Sequence, residues 1–429
     1  MSPLAKKIVI AFSVLVLVYV TAGYLRARAS DDKSFHALTV YSEVLEHIQR
    51  DYVDEPNMHQ VTNGALHGLV DSLDPESTYL SPLEYKDYKE KSEQPAPASA
   101  GATLTKRFGY ISVISTLPDS PAEKAALQLG DIIEKIAGFT TGQMGVDQAQ
   151  VLLTGAPGTV VKLSVIRRGK QEPQEVNLTL AKLPTPKLVE DKLAGDVAYL
   201  RVPEFEAGVS QQIRTRLAEF NRQGAHKLIL DLRDCSSGEM QEGISTAQLF
   251  LNSGTITTLK GQTVSPVVSS AGPSKAVWAQ PMTVLIGNST AGPAEIVASA
   301  IADNHRGDTI GDRSYGTASM QKLMQLDDGS AIILTIANYY TPAGKEIPTD
   351  GVVPTVAVAP PPADSVAEME QSPSALPAGT VSPDDPVVKK AIEILQSAAP
   401  MKKAAANRKP ARSNTTAVLE SLASMPQAA

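Results

Sequence analysis

The stretch M-T-V-L-I-G-N-S-T-A-G-P-A-E-I-V-A-S-A-I-A-D-N (282–304) opens with an unbroken apolar run, Met282 to Ile286, and after a short loop reads as a helix from about Pro293 to Ala302. A strand that is apolar at every position has both faces covered, as in parallel sheets flanked by helices. Lys227 to Asp231 is a second run of that kind, and Val197 to Val202 reads as another strand. Between those two, Val209, Ile213, Leu217 and Phe220 mark one face of a helix. Further on, Met320 to Leu326 and Ala331 to Tyr340 read as hairpin strands joined by Asp327-Asp328-Gly329-Ser330, a turn signal. Together these segments predict a mixed sheet with covering helices over residues 184–358.

The chain is too long for that unit alone. Its 429 residues ask for two or three domains, at about 100–200 residues each. A content of 42% hydrophobic and 20% charged residues is globular, which excludes a wholly disordered chain and a polytopic membrane protein. Cys235 is the single cysteine, so disulfide scaffolds and zinc fingers are excluded. The net charge of −7 argues against a nucleic-acid surface spread over the protein. The six histidines show no ligand pairing beyond the loose spacing of His59 and His67, so no metal and no cofactor are expected.

Lys6 and Lys7 precede an uncharged stretch from Ile8 to Leu25, followed by Arg26 and Arg28. That length is at the lower edge of what spans about 30 Å of hydrocarbon. Residues 8–25 are therefore expected to anchor an exported, periplasmic protein to the inner membrane. Ala27-Arg28-Ala29 loosely resembles a signal cleavage site, although its arginine suits cleavage poorly.

The remaining organisation follows from periodicity and composition. Segment 1–30 is the anchor or signal, and 31–92 is helical, with Leu38, Tyr41, Val44 and Ile48 on one face of a helix whose partner is its own domain or a second subunit. A second helix near Met58 to Ser72 stops at Leu73-Asp74-Pro75. Residues 93–101 read as a linker, 102–183 as a small mixed-strand module, and 359–385 as a Pro/Ala-rich linker. A helix at 386–397 belongs to the core, and 398–429 is a basic tail expected to be disordered, with five basic side chains against one acid. That +4 leaves −11 on the rest of the chain.

Within the module, S-P-A-E-K-A-A-L-Q-L-G-D-I-I-E-K-I-A-G (120–138) and L-L-T-G-A-P-G-T-V-V-K-L-S-V-I-R-R-G (152–169) resemble a PDZ domain. That resemblance implies capture of an extended peptide or free C-terminus by strand addition. The carboxylate cradle would fall at Gly101, Ala102, Thr103 and Leu104, a poor match to the closely spaced glycines usual there.

A wider resemblance covers residues 38 to 397. The segment 288–304, I-G-D-R-S-Y-G-T-A-S-M-Q (310–321) and L-D-D-G-S-A-I-I-L-T-I-A-N-Y-Y-T-P-A-G (326–344) resemble the carboxyl-terminal processing peptidases, exported serine peptidases with an inserted PDZ domain. Leu73-Asp74-Pro75-Glu76-Ser77-Thr78-Tyr79 is similar to their L-D-P-x-S-x-Y, and Asp231-Leu232-Arg233 to the D-L-R before their glycine pair. The resemblance implies a multidomain chain of α/β and α+β character: a helical N-terminal region, a PDZ-like insert and a mixed-sheet core of the ClpP/crotonase type.

It also implies a serine nucleophile, a lysine base and a glutamine four residues after that lysine. A serine hydroxyl is unreactive at its free pKa, so a lysine kept neutral by burial has to take its proton. In this chain the serine position falls on Gly292 and the lysine position on Thr317, while Gln321 alone matches. On the oxyanion side the expected N-x-G-G reads Cys235-Ser236-Ser237-Gly238, and Pro293 removes the backbone N–H after the nucleophile position. Ser289, Thr290 and Lys322 are the nearby substitutes, but a nucleophile displaced by two or three residues misses the oxyanion donors, and even about 1 Å of misplacement is costly.

The expectation is therefore a pseudopeptidase: the nucleophile and base positions are both replaced, and the chain acts by binding. Its expected partners are peptide or protein C-termini, an active peptidase relative, another envelope protein, or a second copy through the N-terminal helices; nucleic acid is not among them. The rival expectation is an active serine-type processing endopeptidase with a non-standard site.

Overall fold

The computed structural model describes residues 15–16, 36–93, 97–167, 170, 172–184, 187–193, 196–358 and 384–397. Apart from Leu15 and Val16, the expected anchor at 8–25 lies outside the described residues, as do the linker segment 359–383 and the tail 398–429. No helix among the described residues is long and apolar enough to cross a membrane.

Helix α1 covers 36–51 and carries Leu38, Val40, Tyr41 and Val44 exposed. Helix α2 (Met58–Asp71) starts where the Asn57 side chain accepts from the Gln60 N–H. After the L-D-P turn come β1 (Thr78–Leu80) and α3 (Pro82–Ser92), the latter opened by a Ser81–Glu84 capping box.

The inserted module comprises β2 (Ala98–Ser99), β3 (Ala102–Arg107), β4 (Tyr110–Thr116), α4 (Pro121–Lys124), β5 (Ile132–Ile136), β6 (Phe139–Thr140), α5 (Val146–Leu152), β7 (Thr154–Gly155), β8 (Val160–Ile166) and β9 (Gln174–Thr179). Its main sheet runs β3-β4-β5-β8-β9, with β6 on β5 and a separate β2–β7 ladder. The expected linker at 93–101 is thus partly wrong. Ala98 and Ser99 pair with β7, and Ala100 is fully buried with its N–H on Leu153 O. Small Ala and Ser residues look like a linker by composition but here fill a tight seam.

The core sheet is built from β10 (Val189–Lys192), β11 (Val197–Arg201), β12 (Lys227–Asp231), β15 (Met282–Ile286), β16 (Asp308–Gly311) and β19 (Val356–Ala357), in that spatial order. All neighbours are parallel except the β10 edge. Helices α6 (Val209–Arg222), α7 (Met240–Ala247) and α8 (Pro293–Asp303) cover the face presented by Leu200, Leu230 and Val284. Helix α10 (Pro386–Ser397) covers the other face through Val388, Ala391 and Leu395, against Tyr199, Ile229 and Leu285. A second sheet of β1, β13 (Thr255–Lys260), β14 (Val267–Ser270), β17 (Ser319–Gln325) and β18 (Ala331–Tyr340) packs its inner residues onto the same main core, and α9 (Ile347–Asp350) precedes β19. The sequence reading missed β13 and β14, whose threonines and serines carry no apolar run.

Asp231, fully buried at the end of β12, accepts from Tyr199 Oη at 2.6 Å and from Arg233, whose far side reaches Asp385 at 2.6 Å. Asp385 also receives the Val387 N–H at the start of α10. Asp385→Ala removes a cap and a charge-assisted bond, so stability should fall by about 1–2 kcal/mol. Urea unfolding with hydrogen exchange on α10 checks this; an unchanged midpoint and unchanged exchange would mean that apolar contacts alone hold the helix.

Candidate functional site

The site forms where the central parallel strands β12 and β15 end, the usual place for chemistry in an open α/β sheet. The loops after the two strands are stitched together. Thr290 Oγ1 accepts from Gly287 N and donates to Leu232 O at 2.8 Å, and Ala291 N donates to Cys235 O at 3.0 Å. Thr290 is therefore occupied structurally, and Ser289 beside it is 7% exposed.

Gly292 follows with φ 56° and ψ −119°, a conformation that disfavours any side chain. A Cβ there would lie 3.5 Å from the Met240 methyl on α7. Pro293 is the first residue of α8, so the helix begins without that N–H.

Glu295, in the first turn of α8, is fully buried and organises the site. Its Oε2 accepts from Gly292 N at 2.9 Å and Thr317 N at 3.0 Å, and its Oε1 accepts from Gly316 N at 2.7 Å and from Ser314 Oγ. One carboxylate oxygen thus joins the backbone of Gly292 to that of Thr317. Burial pushes the Glu295 carboxyl up to about 7, opposed by the hydrogen bonds from Ser314, Thr317, Gly292 and Gly316. Gly316 sits at φ 95°, with Ile347 O 3.0 Å from where a Cβ would be.

The other predicted residues are placed as follows. Ser237 Oγ donates to Glu204 Oε1 at 2.8 Å, and Gly238, at φ 115°, passes so close to Phe205 that a Cβ would meet its carbonyl oxygen at 2.3 Å. Ser236 Oγ meets Ser115 Oγ of the inserted module, so the oxyanion-side loop is tied to that module. Cys235 is fully buried, and burial raises its thiol pKa well above the ordinary value. Gln321 is exposed on β17, where its amide donates to Ser319 Oγ at 2.7 Å. Lys322 lines a different groove. In the module, Gly101 and Ala102 are buried; Gly101 N donates to Ser99 Oγ and Gly101 O accepts from Leu117 N, while Ala102 to Leu104 begin strand β3.

A cleft of about 1070 Å³ separates the module from the core and reaches this site. Its walls include Asp74 and Glu76 of the L-D-P turn, Lys106 and Phe108 of the module, and Tyr315 and Thr317 of the core. Lys106 is the lysine in that wall, and its Nζ donates to Asp71 Oδ2 at 2.7 Å, so it is already engaged with a carboxylate. Burial and the neighbouring Asp74 and Asp147 push the Glu76 carboxyl up to about 7. Among the described residues no group of three or more His, Cys, Asp or Glu could hold a metal.

Residues 196–358 match peptidase family S41, and residues 113–167 match a PDZ domain. A carboxyl-terminal-processing protease from Synechocystis sp. is 30% identical over 315 residues, which cover 72% of this chain and 73% of the relative. The chain belongs to the carboxyl-terminal-processing protease family. A carboxy-terminal-processing protease from Bartonella bacilliformis is 29% identical over 334 residues, covering 77% of this chain and 76% of that one. The solved photosystem II D1 C-terminal processing protease superposes with a TM-score of 0.61 at 23% identity, covering 79% of this chain and 98% of that one, and so shares the fold.

In this member of the carboxyl-terminal-processing protease family, the four-donor role of Glu295 and the Met240 wall had escaped the sequence reading. Glu295 had a local signal: an acid three residues after a helix start is a capping pattern. Met240 had none, since its position depends on how α7 packs against α8.

Proposed function

We propose that this chain is a pseudopeptidase that holds peptide or protein segments in the cleft between its PDZ domain and its core. The observation carrying this reading is the pairing of Gly292 and Thr317 across Glu295, which leaves no nucleophile at one position and no amine at the other. Pro293 and the tethered Lys106 support it, since neither an oxyanion N–H nor a free amine is available in their place. The cleft itself remains open and mixed in polarity, as a peptide site requires.

The charged flanks and apolar run of residues 8–25 support export, with the protein held at the inner membrane and facing the periplasm. The exposed Leu38, Tyr41 and Val44 of α1 support assembly through the N-terminal helices, with a second copy, an active relative or another envelope protein. Fluorescence anisotropy with a labelled casein peptide tests the reading. Saturable binding is expected to weaken when Phe108→Asp places a charge in the cleft wall. Equal affinity of the variant, or no binding, counts against the cleft.

Glu76 gives that binding a pH dependence. Its carboxyl is neutral below about 7 and charged above, so an acidic peptide should lose affinity as pH rises from about 6 to 8, by a few-fold through added like charge. Glu76→Gln should flatten the profile. A profile that is the same in both proteins would show that Glu76 does not face the ligand.

A further inference from the structure

The outer face of the second sheet carries a second groove, lined by neither Gly292 nor Thr317, that shares Thr335 and Asn338 with the PDZ-side cleft. Along β18 the residues alternate: Ile333 and Tyr339 are buried against the protein, while Leu334, Ile336 and Tyr340 are only half-buried and face outward. The turn 261–264 walls this face into a groove of about 820 Å³. Lys260 and Lys322 line it, and among the described residues lining it there is no acid. The Lys260 ammonium sits 3.7 Å from the Tyr340 ring centroid, which fixes its position over the groove floor. Glu346 lines the PDZ-side cleft and is tied to the Asn338 amide and to Tyr340 at the groove's margin, so its carboxylate is already engaged.

The register sets the separation of the two lysines. Lys322 on β17 pairs with Leu334, and Lys260 on β13 pairs with Asn338 on the opposite edge of β18, with an irregularity between. Two strand spacings across and about three residue steps along give a diagonal of about 14 Å, or roughly four residues of an extended chain. An apolar floor with two cationic side chains rooted at that spacing complements an extended segment whose carboxylates stand four residues apart. We propose that this groove docks such an acidic, extended peptide segment of a partner protein, its carboxylates on Lys260 and Lys322 and its intervening apolar side chain on Leu334 and Ile336. A groove walled on one side by the turn 261–264 suits a single chain better than a flat anionic lipid surface.

The test uses fluorescein-labelled Glu-Val-Thr-Val-Glu, its isomer Glu-Glu-Val-Thr-Val, and Lys-Val-Thr-Val-Lys in anisotropy titrations with the intact protein. Saturable binding of the first is expected, several-fold weaker for the isomer, absent for the basic peptide and weakened by added salt. Lys260→Glu with Lys322→Glu should weaken it at least ten-fold; the milder pair Lys260→Gln with Lys322→Gln, with melting curves for both, guards against misfolding. Undiminished binding by folded double variants, equal binding of all three peptides, or no saturable binding overturns the proposal. So does charge-dependent binding to anionic vesicles that the acidic peptide fails to displace. Phe108→Asp, which tests the cleft, should leave this binding unchanged, so the two sites stand or fall separately.

Discussion

Gly292→Ser with Thr317→Lys should restore hydrolysis of casein only weakly, and adding Pro293→Ala should raise it by about 10²–10³-fold more, the worth of one oxyanion donor. The reasoning is geometric. Gly292→Ser puts a side chain on a backbone at φ 56°, ψ −119°, with the Met240 methyl 3.5 Å from its Cβ. Such strain costs about 1–3 kcal/mol. The double variant would hold nucleophile and base but still begin α8 with a proline, so the charge developing on the substrate oxygen would lack the N–H that the family implies. Released acid-soluble peptide is the readout. Full activity in the double variant would mean that Pro293 is no obstacle and that the missing dyad alone silences the site.

Glu295→Ala should cost about 3–5 kcal/mol of stability, the range for stripping a buried polar network of its centre. Four donors lose their acceptor at once: the N–H groups of Gly292, Gly316 and Thr317 and the Ser314 hydroxyl. Ser314 Oγ also receives the Val352 N–H at 2.6 Å, so the damage should spread to the approach to β19. Glu295→Gln should cost less but still over about 1 kcal/mol, because its NH₂ group faces N–H donors on one side or the other. Urea midpoints at constant m-value measure both. A loss under about 1 kcal/mol for the alanine variant would show that the loop 314–317 is held by other contacts.

Much of the fold was legible because its signals are local. The apolar runs at Lys227–Asp231 and Met282–Ile286 and the helical face of Val209, Ile213, Leu217 and Phe220 became β12, β15 and α6 within a residue or two. The D-D-G-S turn joined β17 to β18 as its composition required. What was not legible depends on contacts distant in sequence. Ala98 to Ala100 looked like a linker because Ala and Ser carry no periodicity, yet their partners are Leu153, Thr154 and Gly155 more than fifty residues away. Strand β13 is specified by pairing with β14 on one side and β18 on the other.

The site divides in the same way. Motif spacing placed Gly292 and Thr317 in correspondence, and the folded chain brings their N–H groups to one oxygen of Glu295. Gln321 matches the family motif in sequence and reads there as a sheet-edge polar group; its amide donates to Ser319 Oγ on an exposed edge strand. The Met240 wall and the capture of Lys106 by Asp71 come from helix packing and domain seating, which no spacing within one segment reports.

The central claim, that this chain binds where its relatives cut, is tested most directly by incubating the purified protein for hours with a labelled casein peptide at saturation and then reading anisotropy and peptide mass from the same sample. Bound and intact peptide is the predicted result. Peptide that is cleaved at a rate abolished by Ser289→Ala or Thr290→Ala would contradict it.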